Sequence, residues 1–360
     1  MIPIAKPQMT ADEIAAVTDV LTSGMIASGN VVSEFENAFA EYIGVRHGIA
    51  TTSGTTALEV ALRALEIGRG DKVLTTAYSF IASTNSILYT GARPVFADID
   101  PDTFCIDLKA AAQQLEKDRE IKAILIVHLF GHPCDMDGVM ALAQKYGLKV
   151  VEDCAQSHGA MWKNKKTGSF GDVSTFSFYP TKNMTTGEGG MVLANSDTVA
   201  ERARLLINHG MKVRYTHDII GYNYRMTNIA AAIGLKQLQK LDGFNDARRK
   251  NAAGYGRLIE HPSVIKPTVK QDAHHVYHQY TIRVTDGKRD ALIKQLEEND
   301  IGYGVFYPKS IPEQPCYKDM GFETAFENTD RVKREVLSLP VHPLISEADV
   351  AAVARAINSL

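Results

Sequence analysis

Lys182 stands where two strand-like runs meet, an unusual position for a cation, because lysine is rarely buried without a partner or a task. Before it, Val173 to Phe178 forms a short apolar run and Tyr179-Pro180-Thr181 a tight turn. After it, Gly187, Glu188, Gly189 and Gly190 make a glycine-rich corner leading into a second strand, Met191 to Ala194. Glycines beside a lysine let a ligand approach the backbone closely. Taken alone, the pattern also fits a surface turn lysine. A second group changes the balance. In KVVEDCAQSHGA, from Lys149 to Ala160, a buried-type strand delivers Glu152 and Asp153 at its carboxyl end, and Gln156 and His158 follow. Ligands of open α/β sheets bind at that end. A lysine and a carboxylate at two strand ends are what pyridoxal phosphate needs. The amine condenses with the aldehyde, and an aspartate keeps the pyridine nitrogen protonated so that the ring accepts electrons.

Other groups bear on the same question. Ser53-Gly54-Thr55-Thr56-Ala57 opens a helix after a short strand, Ile49 to Thr51. Glycine and small hydroxyl residues at a helix N-terminus cradle phosphate, because free N–H groups and the helix dipole converge there. An ordinary N-cap has the same composition. Tyr78 and Phe80 lie just past another strand end, where an aromatic ring either stacks on a flat cofactor or packs in the core. In Gly221-Tyr222-Asn223-Tyr224-Arg225-Met226 an arginine lies beside aromatic residues, which reads equally as a solvated arginine packed on tyrosines.

The wording EDCAQSHGA, SFYPTKNMTTGEGG, TTSGTTALEVAL and GYNYRMTNIAAAIG, with its order and spacing, resembles the DegT/DnrJ/EryC1/StrS family of sugar aminotransferases. The resemblance extends from the N-terminal arm to the segment Tyr307 to Pro315. It implies an α/β chain with the fold of a fold-type I aminotransferase. A large cofactor-binding domain over 1–243, with a mostly parallel sheet flanked by helices, would be followed by a smaller C-terminal α+β domain over 244–360. The implied cofactor is pyridoxal 5′-phosphate, carried by Lys182, with Asp153 at the pyridine nitrogen and Gln156 at the ring face or phenolic oxygen. Phe80 would stack on the ring, and Ser177 with Gly54, Thr55 and Thr56 would hold the phosphate. The segment 221–226 would reach into the neighbouring subunit of an obligate homodimer, Asn223 meeting the phosphate and Arg225 steadying the site.

The implied reaction moves an amino group from glutamate to a nucleotide-linked keto-sugar in amino-sugar or surface polysaccharide biosynthesis, with a 4-keto-6-deoxy sugar as the default. The alternatives are a non-catalytic regulatory or binding protein on the same fold, a 3-keto aminotransferase, and a dehydratase. Dehydratases of the family carry histidine at the lysine position, so Lys182 argues against the last. The motifs select neither the base nor C3 over C4, and Glu313 in SIPEQP stands where many members have histidine.

Positioning these residues is the task of a repeating strand, helix, strand pattern. Lys72 to Thr76, Pro94 to Ala97 and Ala123 to His128 read as strands, and Phe80 to Tyr89, Leu108 to Leu115 and Met136 to Tyr146 as helices. Such alternation makes a mostly parallel sheet covered on both faces. Met1 to Pro7 reads as an extended arm packed against another part of the chain. Thr10 with Glu13 caps a first helix, and Ser33 with Glu36 repeats the signal for a second, Phe35 to Ile43. Asp197 to Asn208, Thr227 to Leu241 and Phe244 to Ile259 read as further helices, the last joining the two domains. The C-terminal layer is expected to contain strands Tyr277 to Val284 and Tyr303 to Phe306, a helix Lys288 to Asn299, and helices from about Arg331 and Glu347.

With 360 residues, 45% of them hydrophobic, the chain can bury a full core. A formal net charge of −3 gives no basic excess for nucleic acid, and no run approaches the roughly 18 apolar residues of a membrane span. MIPIAKPQMT shows no signal-peptide pattern, and Cys105, Cys134, Cys154 and Cys316 form no CxxC pair, so a cytoplasmic protein with reduced thiols is expected. His128 and His132 read as structural turn residues. His274, His275 and His278 alternate faces on a strand, with no carboxylate or cysteine to complete a set, so no metal is expected.

Overall fold

The computed structural model describes residues 1–360. Its centre is a seven-stranded sheet of β1 (His47–Thr51), β2 (Lys72–Thr76), β3 (Arg93–Ala97), β4 (Ile121–Val127), β5 (Lys149–Asp153), β6 (Val173–Ser177) and β7 (Gly190–Ala194). The spatial order is β1-β7-β6-β5-β4-β2-β3. β7 runs antiparallel to both neighbours and every other pair is parallel, as the alternating pattern predicts. β4 is buried at every position except Lys122, the mark of a strand covered on both faces. Its residues divide by alternation: Leu125 and Val127 pack under one set of helices, Ile124 and Ile126 under another.

Helices α1 (Ala11–Ser23) and α2 (Asn30–Ile43) precede the sheet. α3 (Gly54–Ala64), α4 (Ala82–Tyr89) and α7 (Asp197–Ile207) cover one face, and α5 (Leu108–Lys117) with α6 (Met136–Tyr146) covers the other. The first helix has the expected capping box: the Thr10 N–H donates to Glu13 Oε2 at 2.8 Å. The second differs from expectation. It begins at Asn30 after Gly29, and Ser33 caps nothing. Glu36 is instead buried, accepting from the Ala50 N–H at 2.8 Å and from Arg204 at 2.9 Å, so tertiary partners took the side chain that the local pattern assigned to a cap.

The two helices expected at Thr227 to Leu241 and Phe244 to Ile259 are one, α8 (Asn228–Leu258), of 31 residues. An interior glycine costs about 1 kcal/mol, and Gly243 suggests a break on that ground. A single buried face, Leu241, Phe244, Asn245 and Arg248, outweighs it, running at helical spacing through the glycine. α8 is roughly 45 Å long at about 1.5 Å per residue. It packs on α1 and α2 at one end and on the C-terminal layer at the other. Gly234 gives α2 its close approach, since a Cβ there would lie 2.7 Å from the Phe35 ring.

The C-terminal layer is an antiparallel sheet of β8 (Val264–Ile265), β9 (Tyr280–Val284) and β10 (Val336–Leu339). It is accompanied by α9 (Arg289–Glu298), α10 (Glu327–Glu335) and α11 (Glu347–Asn358). Its core gathers Tyr255, Ile282, Leu292, Leu296, Leu337 and Val353. β9 begins three residues later than predicted, because 276–279 bond to the loop after β4: Val276 N–H donates to the Gly131 carbonyl and Gln279 N–H to that of Phe130, each at 3.1 Å. Tyr303 to Phe306 makes one bridge, Gly304 with Ser338, rather than a ladder strand. From there the chain crosses to the large sheet, where Phe306 and Tyr307 pack. The N-terminal arm does pack elsewhere: Ile2 pairs with Ile301. No helix is long and apolar enough to cross a membrane.

Candidate active site

The carboxyl ends of β5 and β6, the start of α3, the inward face of α8 and the crossing at Phe306 and Tyr307 enclose a cavity of about 570 Å³, within the ordinary size for a small-molecule site. Ile4 and Ala5 of the arm close part of it. Asp153, Lys182, Gly54, Thr55, Phe80, Gln156 and Ser177, expected from separate motifs, all line it.

Lys182 sits in the turn after β6, its backbone N–H bonded to the Tyr179 carbonyl at 2.9 Å. The residue is half-buried and its amine is desolvated. Burial brings the ammonium down from its ordinary value of 10.5 to about 8, against the opposing pull of the Asp153 charge. Asp153 ends β5 and is held at both oxygens. Ser83 Oγ donates to Oδ2 at 2.8 Å, and the Ala155 N–H to Oδ1 at 3.0 Å. Burial raises its carboxyl, and those donors together with the Lys182 charge act in the opposite sense.

The helix start forms a small anion cradle. Ser53 is the N-cap: its Oγ accepts from the Thr56 N–H at 3.2 Å, and Thr56 Oγ1 accepts from the Ser53 N–H at 3.0 Å. Thr56 is therefore turned into the cap and does not line the cavity. Gly54 is required by a close approach, since a Cβ there would meet Ser177 Cβ at 2.6 Å. The first N–H groups of a helix have no intrahelical acceptor, so this corner presents donors and the positive end of the dipole to an anion.

Gln156 is fixed at the wall, Oε1 accepting from the Phe130 N–H at 2.7 Å and Nε2 donating to Tyr307 Oη at 3.3 Å. Phe80 is 54% exposed and lies 6.1 Å from the Tyr307 ring, free to face a flat ligand. Tyr78 is fully buried, and its hydroxyl accepts from the Tyr307 N–H at 2.6 Å, so it is a packing residue. Asn223 and Arg225 do not line the cavity of their own chain. Both are exposed beside β1, Arg225 donating to Asn223 Oδ1 at 2.9 Å. Glu313 accepts from Ser310 Oγ at 2.8 Å and from Lys333 Nζ at 2.6 Å, which ties its loop to α10. His128 is bound to buried Glu152 at 3.1 Å. His278, expected on a strand, lies in the loop before β9 and reaches the cavity wall, 3.3 Å from Asn183 Oδ1. Sequence reasoning missed Ser53, Ser83, Arg248, His278 and Tyr307. Ser53 and Tyr307 stood inside segments already singled out, and His278 was weighed only as a metal ligand; Ser83 and Arg248 carry no local signal.

A model of the DegT/DnrJ/EryC1/StrS aminotransferase family matches residues 7–358. The chain is 40% identical over 368 residues to a GDP-perosamine synthase of Caulobacter vibrioides, which covers 100% of this chain and 98% of the relative. It is 38% identical over 349 residues to a UDP-N-acetyl-3-dehydro-alpha-D-glucosamine 3-aminotransferase of Acidithiobacillus ferrooxidans, covering 96% and 93%. Among solved structures, S. venezuelae DesV in complex with a ketimine intermediate gives a TM-score of 0.93 at 35% identity, covering 97% of this chain and 94% of that one. Because these matches take in the whole sheet and the C-terminal layer rather than the motifs alone, the chain belongs to the DegT/DnrJ/EryC1/StrS aminotransferase family, as a sugar aminotransferase of fold type I.

Proposed function

We propose that the cavity binds pyridoxal 5′-phosphate and that the protein transfers an amino group from glutamate to a nucleotide-linked keto-sugar, a 4-keto-6-deoxy sugar by default, in amino-sugar or surface polysaccharide biosynthesis. One observation carries the reading: a desolvated amine, Lys182, and a fixed carboxylate, Asp153, share one cavity with the anion cradle at the start of α3. The relatives support a nucleotide-linked substrate, one being named for a GDP sugar and the other for a UDP sugar, without selecting a base.

When bound, the cofactor supplies a carbonyl carbon that accepts nitrogen and a cationic ring that takes up negative charge. The residues do the rest. Ser53, Gly54, Thr55 and Ser177 hold the phosphate with N–H and hydroxyl donors. Asp153, locked by Ser83 and Ala155, would pair with the ring nitrogen and favour its protonated form. Phe80 and Gln156 would hold the ring. Lys182 would hold the cofactor through Nζ, and that amine, when free, would accept the donor's α-proton and give it up again. The same transfer in reverse aminates the sugar. Asn223 and Arg225, exposed beside β1, complete the neighbouring site in a homodimer.

The test is an absorbance spectrum of the purified protein before and after excess glutamate. A visible-edge band that shifts to shorter wavelength is expected, with neither band nor turnover in Lys182→Ala at an unchanged circular dichroism spectrum. Wild-type transamination in that variant would refute the assignment of Lys182. No band in the wild type after added pyridoxal phosphate would favour a binding protein instead.

A further inference from the structure

Only one histidine lines the cavity. His278 is 6% exposed and shares the wall with Lys182 and Phe306. Its main chain is fixed: Arg248 Nη1 donates to the His278 carbonyl at 3.1 Å and to that of Tyr277 at 3.2 Å, and the Gln279 N–H donates to the Phe130 carbonyl at 3.1 Å. Its ring nitrogens differ in surroundings. Nδ1 lies 3.3 Å from Oδ1 of Asn183, the residue that follows Lys182. Nε2 has no partner in the protein and, unlike both ring nitrogens of His158, is not sealed away.

The network behind His278 fixes its tautomer. Asn245 Nδ2 donates to the His158 carbonyl at 2.8 Å, which turns Asn245 Oδ1 toward Asn183. Asn183 Nδ2 donates to that oxygen at 2.7 Å and to the Val276 carbonyl at 3.2 Å, so Asn183 Oδ1 is left as an acceptor facing the imidazole. An acceptor there requires the hydrogen on Nδ1, and the lone pair is then on Nε2. Burial keeps the ring well below its ordinary 6.5 and therefore neutral near neutrality. His278 thus presents the cavity with an acceptor that cannot donate.

Such an atom selects among the groups that the reaction brings. The carboxylates of an amino donor, the cofactor phosphate and its phenolic oxygen are acceptors themselves and find no hydrogen at Nε2. The donor's amine is consumed in the transfer. A sugar ring brings hydroxyl hydrogens, and a site built to receive one rejects an analogue without it, because the buried acceptor then stands unpaired.

We propose that His278 Nε2 accepts a hydrogen bond from a ring hydroxyl of the keto-sugar and so takes part in choosing the sugar. This rests on the sugar aminotransferase reading above and assigns one sugar contact within it.

The test uses holoenzyme of wild type, His278→Phe and His278→Gln with a 4-keto-6-deoxyhexose linked to GDP and to UDP. For whichever of these the wild type binds in calorimetry, His278→Phe should lower the affinity, and kcat/KM in the sugar half-reaction followed by absorbance, by about 10- to 100-fold, the scale of leaving a buried polar group unpaired. The glutamate half-reaction should stay as in wild type. His278→Gln, which restores an acceptor, should recover part of the loss. Of two analogues lacking the C2 or the C3 hydroxyl, one should lose a similar factor with wild type and nothing further with His278→Phe. Equal losses in both half-reactions would reduce the residue to a support of the fold and overturn the proposal. So would an unchanged sugar half-reaction, discrimination between the deoxy analogues that survives in His278→Phe, or a wild type that binds neither nucleotide sugar. A wild type that binds the sugar through His278 yet shows no spectral change with glutamate would sink the aminotransferase reading alone.

Discussion

At the scale of single residues, the cavity works by moving one proton affinity. A lysine with its ordinary value of 10.5 is almost wholly charged near neutrality, whereas Lys182, lowered to about 8 by burial, would be neutral in about a tenth of molecules at pH 7. Since the neutral amine is the nucleophile, cofactor-free protein should capture pyridoxal phosphate at a rate that rises with pH and levels off above about 8. Stopped-flow absorbance across that range checks this, and a midpoint near 10.5 would mean that burial does not act on the amine. The Asp153 charge favours the ammonium, so Asp153→Asn should move the midpoint downward. Stability follows the same shift. Between about 8 and 10.5 the unfolded chain holds the proton and the folded one does not, so the cofactor-free protein gains stability as pH rises through that window. Substituting Lys182 by Met should flatten that gain.

At the scale of elements, the start of α3 and the end of β6 are built to touch. Gly54→Ala puts a methyl 2.6 Å from Ser177 Cβ and 3.0 Å from its Oγ. Something must shift, at a cost of about 1–3 kcal/mol. Separating the two elements also opens the cradle, so spectroscopic titration should show cofactor affinity falling at least as clearly as the denaturation midpoint. Gly243→Ala is the contrasting case. That helix position has nothing within 4 Å, and the variant should be more stable by up to about 1 kcal/mol with cofactor affinity unchanged. A stable Gly54→Ala protein with full cofactor affinity would show that the close contact is incidental.

At the scale of the whole molecule, the cavity is closed from one side by the N-terminal arm and the crossing at Phe306 and Tyr307. Ile2 pairs with Ile301, Gly302 N–H donates to the Ile2 carbonyl at 2.7 Å, and the crossing at Phe306 and Tyr307 lies beside Ile4 and Ala5 in the cavity wall. The other side is open at Phe80 and Tyr179, which are 54% and 48% exposed. In the proposed dimer the neighbour's Asn223 and Arg225 come to that site. Mixing two inactive variants tests this. Lys182→Ala and Arg225→Ala chains refolded together should regain about a quarter of wild-type activity, because random symmetric pairing leaves one intact site in each mixed dimer. If each chain supplied its whole site, the mixture would stay inactive.

Much of this protein is determined by sequence that acts over a few residues. The apolar runs of β4 and β6, the Ser53 cap, the Gly54 corner and the turn around Lys182 are local patterns, and they predicted both the mostly parallel sheet and the residues that now face one cavity. The N-terminal arm was legible as an arm, though its partner was not. Tertiary structure decided what depends on distant partners. It took Glu36 from a cap into a buried pair with Arg204, ran α8 through Gly243 because its buried face is continuous, and tied Glu313 to Lys333. It also placed Ser83 on Asp153 and aimed Arg248 at the cavity. No spacing rule links those residues to the lysine, because burial and the crossing of separate chain segments, rather than any local propensity, bring them together.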